Sequence, residues 1–169
     1  MSVHIRDIEN SKYDLVFLTD MMYEAIHIPE NKPPKEELLH LPQNKIYSEG
    51  WGRQGDRALV AVNEEGIPVG AAWYRLFTGS KKGYGYVNDQ TPELGIALTK
   101  GARGKRFGTQ LMTRLFEEAT NDGYAALSLS VDPQNYQALK LYQKLGFKRC
   151  GLSGTSWTMI YELEQVRCD

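Results

Sequence analysis

Cysteine is nearly absent from this sequence: Cys150 and Cys168 are the only two in 169 residues. Two thiols build no disulfide framework, so both read as reduced thiols in a cytoplasmic protein. Histidine is also scarce. His4, His27 and His40 are scattered through the first quarter of the chain, where no zinc-ligand spacing joins them to a cysteine, and no metal is expected. No apolar run reaches the roughly 18 residues of a membrane span. The opening MSVHIRDIEN lacks the apolar stretch of a secretory signal. An excess of one charge is missing too: 20 basic and 21 acidic residues give a net charge of −1, without the basic footprint of a nucleic-acid-binding protein. Seven prolines and 11% aromatics argue against bulk disorder. The composition that remains, 41% hydrophobic and 24% charged, is that of a soluble globular protein. Its length suits a single domain, 1–169.

Val3 to Ile8 alternates and predicts an opening strand. Ser11 can cap a helix through Leu15, Leu18, Met22 and Ile26, which Pro29 stops. Pro33 and Pro34 open a short acidic helix around Glu36 to Leu39, and Pro42 to Asp56 reads as loop or irregular helix. Strands are expected at Ala58 to Val62 and Val69 to Leu76, joined by hairpin chemistry at Asn63 to Gly66. A glycine- and lysine-rich loop, Gly79 to Gly85, precedes a strand at Glu93 to Thr99. Helices at Gly108 to Asn121 and Asn135 to Leu145 alternate with strands at Ala125 to Val131, Phe147 to Cys150 and Ser156 to Leu163. Short turns imply antiparallel neighbours and helical crossovers imply parallel ones, so the fold class is α/β, a mixed sheet with helices on both faces.

One loop carries distinctive chemistry. Between the strand ending at Leu98 and the helix opening at Gly108 lie two glycines and the cations Arg103, Lys105 and Arg106. Helix N-termini present unpaired N–H groups and partial positive charge, and glycines let the backbone approach an anion. Together they make a phosphate site built from main-chain donors. The spacing fits neither a Walker loop nor a dinucleotide fingerprint. Taken alone, such a loop also reads as a solvated surface.

Two motifs point further. Arg103-Gly-Lys-Arg-Phe-Gly108 resembles the [QR]-x-x-G-x-[GA] pyrophosphate loop of the GNAT superfamily of acyl-CoA-dependent N-acyltransferases, with Arg106 in place of the middle glycine. Val131, Asn135, Ala138, Tyr142, Gly146 and Phe147 match in register its V-x-x-x-N-x-x-A-x-x-x-Y-x-x-x-G-F pattern. The resemblance spans about Ala58 to Leu163 in element order. It implies a GNAT-like sheet in which two central parallel strands splay and admit the pantetheine arm of acetyl-CoA. Ile96, Ala97 and Leu98 would offer main-chain groups to that arm, one of them polarising the thioester carbonyl. Arg103, Gly104, Lys105, Arg106, Phe107, Gly108 and Thr109 would grip the pyrophosphate. Asn135 and Ala138 would lie along the arm, and Tyr142 would protonate the departing thiolate.

The implied activity is N-acetyl transfer to a primary amine of a small molecule or peptide, by direct attack in a ternary complex. An ammonium must lose a proton before it attacks. Glu93, at the start of the matching strand, is the candidate base; a solvent-facing glutamate with a water chain is the alternative. Arg106 either points away to pair with a phosphate or distorts the loop. The second possibility keeps open a catalytically weak acyl-CoA sensor. A nucleic-acid module built on Lys100 to Arg106 is disfavoured by the net charge and by the lack of interleaved aromatics. Tyr23, Trp51, Trp73, Tyr84 and Tyr86 are candidate walls of the acceptor pocket. Early acidic residues (Asp14, Asp20, Glu24, Glu30, Glu36, Glu37) could attract a cationic amine or form a solvated helix face. A homodimer through an apolar edge strand, Ser156 to Leu163, is the expectation for assembly.

Overall fold

Local chemistry sets the first elements. In a computed structural model of the chain, which describes residues 2–163 and so leaves Cys168 outside, strand β1 spans Val3–Asp7 and helix α1 spans Lys12–Ala25. Ser11 caps α1 by accepting the Asp14 N–H at 3.2 Å, as its side-chain type predicts. Asp14 in turn receives the Arg6 guanidinium at 2.7 and 3.0 Å, which holds its carboxyl below the usual range. Helices α2 (Lys35–His40) and α3 (Pro42–Lys45) follow. Strands β2 (Arg57–Asn63) and β3 (Pro68–Arg75) form the expected hairpin. Asn63 Oδ1 closes the turn by accepting the N–H groups of Glu65 and Ile67, and Gly66 takes a φ of 81° there. Then come β4 (Glu93–Leu98), α4 (Phe107–Asn121), β5 (Ala126–Val131), α5 (Tyr136–Leu145), β6 (Lys148–Ser153) and β7 (Ser156–Glu162).

The strands form one seven-stranded sheet in the order β1-β2-β3-β4-β5-β7-β6. Every neighbouring pair is antiparallel except β4 and β5, which run parallel. Alternation along the strands divides the core between two faces. Leu59, Ala61, Ala72 and Tyr74 pack beneath α4 through Leu111, Leu115 and Ala119, and α5 joins this layer through Tyr142. Ala58, Ala71 and Trp73 face the opposite way, onto Leu18, Met21 and Met22 of α1.

The structure corrects two expectations. β7 is not an edge: it pairs with β5 on one side and β6 on the other, so the apolar strand at Ser156 is already partnered. The edge on this side is β6, which starts one residue later than expected and runs on to Ser153. Asn135 is the N-cap of α5 rather than its first turn, because its side chain accepts the Ala138 N–H at 3.4 Å.

The irregular stretch after α3 is fastened by charge. Arg75, 1% exposed, donates to Asp56 at 3.0 and 2.8 Å and to the carbonyls of Ile46 and Glu49 at 3.0 and 2.7 Å. A buried guanidinium demands such a full set of acceptors. Here it fixes the segment that carries Tyr47.

Candidate active site

A parallel strand pair normally shares a ladder of main-chain hydrogen bonds. β4 and β5 share one register pair, Glu93 with Ser128, where the Ser128 N–H reaches the Pro92 carbonyl at 2.9 Å. Beyond it the strands diverge, while β3 pairs with β4 from Glu93 to Leu98. The edge of β4 that faces β5 is therefore left without a strand partner past Glu93.

A cavity of about 870 Å³ opens along this divergence. Ile96, Ala97 and Leu98 line it from β4, Arg103 and Gly104 from the loop into α4, and Gly108 from the first turn of that helix. Asn135, Ala138, Leu141 and Tyr142 line it from the N-cap and one face of α5, and Tyr23 to Pro29 from the end of α1 and the loop beyond. Most of the expected donor residues thus meet at one site. Lys105 and Arg106 are exposed, Phe107 is buried, Thr109 is half-buried, and none of the four belongs to the wall. The N-terminus of α4 has no side-chain cap, so its first N–H groups keep their capacity for an anion.

Tyr142 is buried, and burial pushes its phenol up to about 12. Its hydroxyl has no hydrogen-bond partner among the described residues, although none of their fully buried side-chain polar atoms lacks one. The hydroxyl therefore reaches open space in the cavity it lines.

Glu93 sits at the pinch point, 5% exposed and outside the cavity wall. The Tyr47 hydroxyl donates to one carboxyl oxygen at 2.6 Å and the Gly85 N–H to the other at 3.0 Å. Burial outweighs these bonds and raises the carboxyl to about 7. Glycine is required in the covering loop: a Cβ at Gly85 would come within 2.7 Å of the Leu129 main chain, and one at Gly83 would run into Glu93 and Tyr47. The Ser128 hydroxyl donates to the Gly85 carbonyl at 2.6 Å and closes the pinch.

Of the aromatic candidates only Tyr23 lines the cavity. Trp51 lies against Arg75, Trp73 fills the α1-side core and Tyr84 stacks on Tyr47. Among the early acids, Asp14, Asp20 and Glu24 are engaged by Arg6, Lys35 and Arg103.

The sequence matches the acetyltransferase (GNAT) family over residues 18–147. The chain belongs to the GNAT family. No curated protein sequence matches it significantly. Among solved structures, a ribosomal-protein-alanine N-acetyltransferase from Brucella melitensis is similar at 25% identity, with 95% of this chain and 99% of that one covered and a TM-score of 0.66. An N-acetyltransferase from Staphylococcus aureus Mu50 is 23% identical over 97% and 100% of the two chains, TM-score 0.67. A phosphinothricin acetyltransferase from Sinorhizobium meliloti, solved in complex with acetyl-CoA, is 21% identical over 96% and 89%, TM-score 0.65. The seven-stranded mixed sheet is thus a GNAT fold.

Arg106 departs from the GNAT loop pattern in residue type. It caps α4 at φ 66°, ψ 12°, the left-handed conformation that glycine adopts freely. A residue other than glycine holds that conformation at a cost. Arg106→Gly should relieve about 1 kcal/mol. For a chain of this size the thermal midpoint should rise by roughly 2–4 °C. Calorimetry checks this, together with acetyl-CoA affinity, which should change little because the Arg106 side chain lies off the wall.

Glu93 makes stability depend on pH with a definite sign. A carboxyl raised to about 7 binds its proton more tightly in the folded chain. Stability is therefore lost as pH rises from the ordinary carboxyl range through 7. Glu93→Gln should be more stable than the parent above pH 7, with the gap shrinking towards pH 5; urea midpoints at several pH values measure it.

Proposed function

We propose that this chain is an N-acetyltransferase that transfers the acetyl group of acetyl-CoA to a primary amine of a small molecule or peptide, by direct attack in a ternary complex. The observation that carries this reading is one continuous cavity. It joins the unpaired edge of β4, the uncapped N-terminus of α4 and the unpartnered hydroxyl of Tyr142.

In this reading the pyrophosphate lies on the N–H groups that open α4, beside Arg103 and Gly104. The pantetheine arm runs along Ile96 to Leu98 and past Asn135 and Ala138, replacing the strand partner that β4 lacks. A β4 N–H meets the thioester oxygen where negative charge develops. As the amine nitrogen bonds to the carbonyl carbon, the carbon–sulfur bond breaks and the sulfur leaves as thiolate. Tyr142, with its phenol near 12, keeps its proton until that charge appears and then donates a hydrogen bond to the sulfur. Glu93, near 7, accepts the proton that the nitrogen sheds as the amide forms, reached through water because the carboxyl is off the wall. The alternative, a catalytically weak acyl-CoA sensor, draws on Arg106 in place of the loop glycine; the left-handed backbone there, which glycine adopts freely, supports the enzyme reading instead.

The test is calorimetric titration with acetyl-CoA, then a panel of primary amines with thiol release as readout. Binding and turnover are expected; absence of acetyl-CoA binding overturns the reading. Tyr142→Phe should bind acetyl-CoA as the parent does. Its kcat should fall by about 10- to 100-fold, the value of one hydrogen bond to a charged group. An unchanged kcat at every pH would remove the tyrosine from the chemistry.

A further inference from the structure

The acceptor's first proton has no destination in the site described so far. A primary amine arrives as an ammonium, and no lone pair is available until a base removes that proton. An arriving ammonium meets the wall of the cavity first. Glu93 is not on the wall, and both its oxygens already accept hydrogen bonds.

His27 is on the wall, two residues past the end of α1, with its side chain 30% exposed to water. Its Nδ1 lies 2.9 Å from Asp132 Oδ2. Asp132 directly follows β5, beyond the point where that strand has left β4. It is itself held fast: its other carboxyl oxygen accepts the Gln134 N–H at 2.9 Å, and its carbonyl accepts the Asn135 N–H at 2.9 Å. The bond to His27 keeps the Asp132 carboxyl below its usual range. A carboxylate only accepts, so the hydrogen of this bond sits on Nδ1, and in the neutral ring Nε2 carries the lone pair. Nε2 bonds to no described residue.

We infer that His27, oriented by Asp132, is the catalytic group that takes the first proton from the acceptor ammonium and passes it to water. Asp132 is its positioning residue. The inference rests on the acetyltransferase reading. The balance is complete: ammonium plus thioester gives amide, thiol and one released proton. That proton leaves through His27, and the nitrogen's second proton is matched by the one the thiolate gains. The other charged groups around the cavity are Glu24, Lys32, Lys100 and Arg103, and the phenols of Tyr23, Tyr136 and Tyr142 face it too. Glu24 and Arg103 engage each other at 3.5 Å, and Lys32 donates to the Tyr23 carbonyl at 2.7 Å. None of these is an imidazole, the side chain that changes charge closest to neutrality.

His27→Gln and Asp132→Asn test this in the full chain, with phenethylamine and methoxyamine as acceptors. Phenethylamine is an ammonium at neutral pH and methoxyamine is not. His27→Gln should lose about 100-fold in kcat/KM for phenethylamine, the usual scale of a positioned base. Its transfer to methoxyamine and its affinity for acetyl-CoA should match the parent's. No loss with phenethylamine, or equal losses with both amines, overturns the proposal. Nitrogen-15 NMR of the ring needs no acceptor: the neutral ring should carry its proton on Nδ1 in the parent and lose that preference in Asp132→Asn. A neutral ring protonated on Nε2 in the parent overturns the proposal as well. If the parent fails to bind acetyl-CoA, the acetyltransferase reading falls instead, and the NMR result still decides the Asp132–His27 arrangement.

Discussion

Two parallel strands stay together only while each satisfies the other's main-chain groups. In this sheet β4 and β5 meet at Glu93 and Ser128 and then part, so everything built on them depends on what holds that one point closed. Three hydrogen bonds do so. Ser128 reaches Pro92 through its main chain and Gly85 through its hydroxyl, and Gly85 reaches the Glu93 carboxyl. The covering loop lies close enough to do this because Gly83 and Gly85 have no Cβ to strike Glu93, Tyr47 or the Leu129 backbone. Closing the sheet at one end opens it at the other, and the opening is the cavity.

The same arrangement sorts the chemistry by depth. At the bottom, burial raises Glu93 to about 7 and Tyr142 to about 12, so one group is ready to take a proton near neutrality and the other to keep its own. Nearer water, the groups are paired: Arg103 with Glu24, and Asp132 with His27. The segment carrying Tyr47 is held by the buried Arg75–Asp56 pair, which links a structural charge to the site through the Tyr47–Glu93 bond.

Much of this was legible in the sequence, for local reasons. The Ser11 cap, the Asn63 turn and the apolar stripe at Leu111, Leu115 and Ala119 are set by neighbours a few residues away. The spacing of Asn135, Ala138 and Tyr142 puts all three on one face of α5, and the cavity finds them together. What failed was set by distance. Nothing within Ser156 to Leu163 says that β5, on the far side of α5 in the chain, will take the flank that its neighbour β6 leaves open. Arg106 reads as a broken motif until the backbone shows it in the glycine conformation. The Tyr47–Glu93 bond joins residues 46 apart and the His27–Asp132 bond residues 105 apart, so no local spacing announces either. One signal was available: Asp132 adjoins Val131 of the second motif.

The central claim is that acetyl-CoA lies in the opening between β4 and β5. Amide nitrogen-15 NMR during titration with acetyl-CoA tests it most directly. The account predicts saturable shifts at Ile96, Ala97, Leu98, Gly104, Gly108 and Asn135, with little change at Val60 or Ala71, which are buried in β2 and β3. Shifts absent from those six residues, or concentrated elsewhere in the sheet, would contradict it.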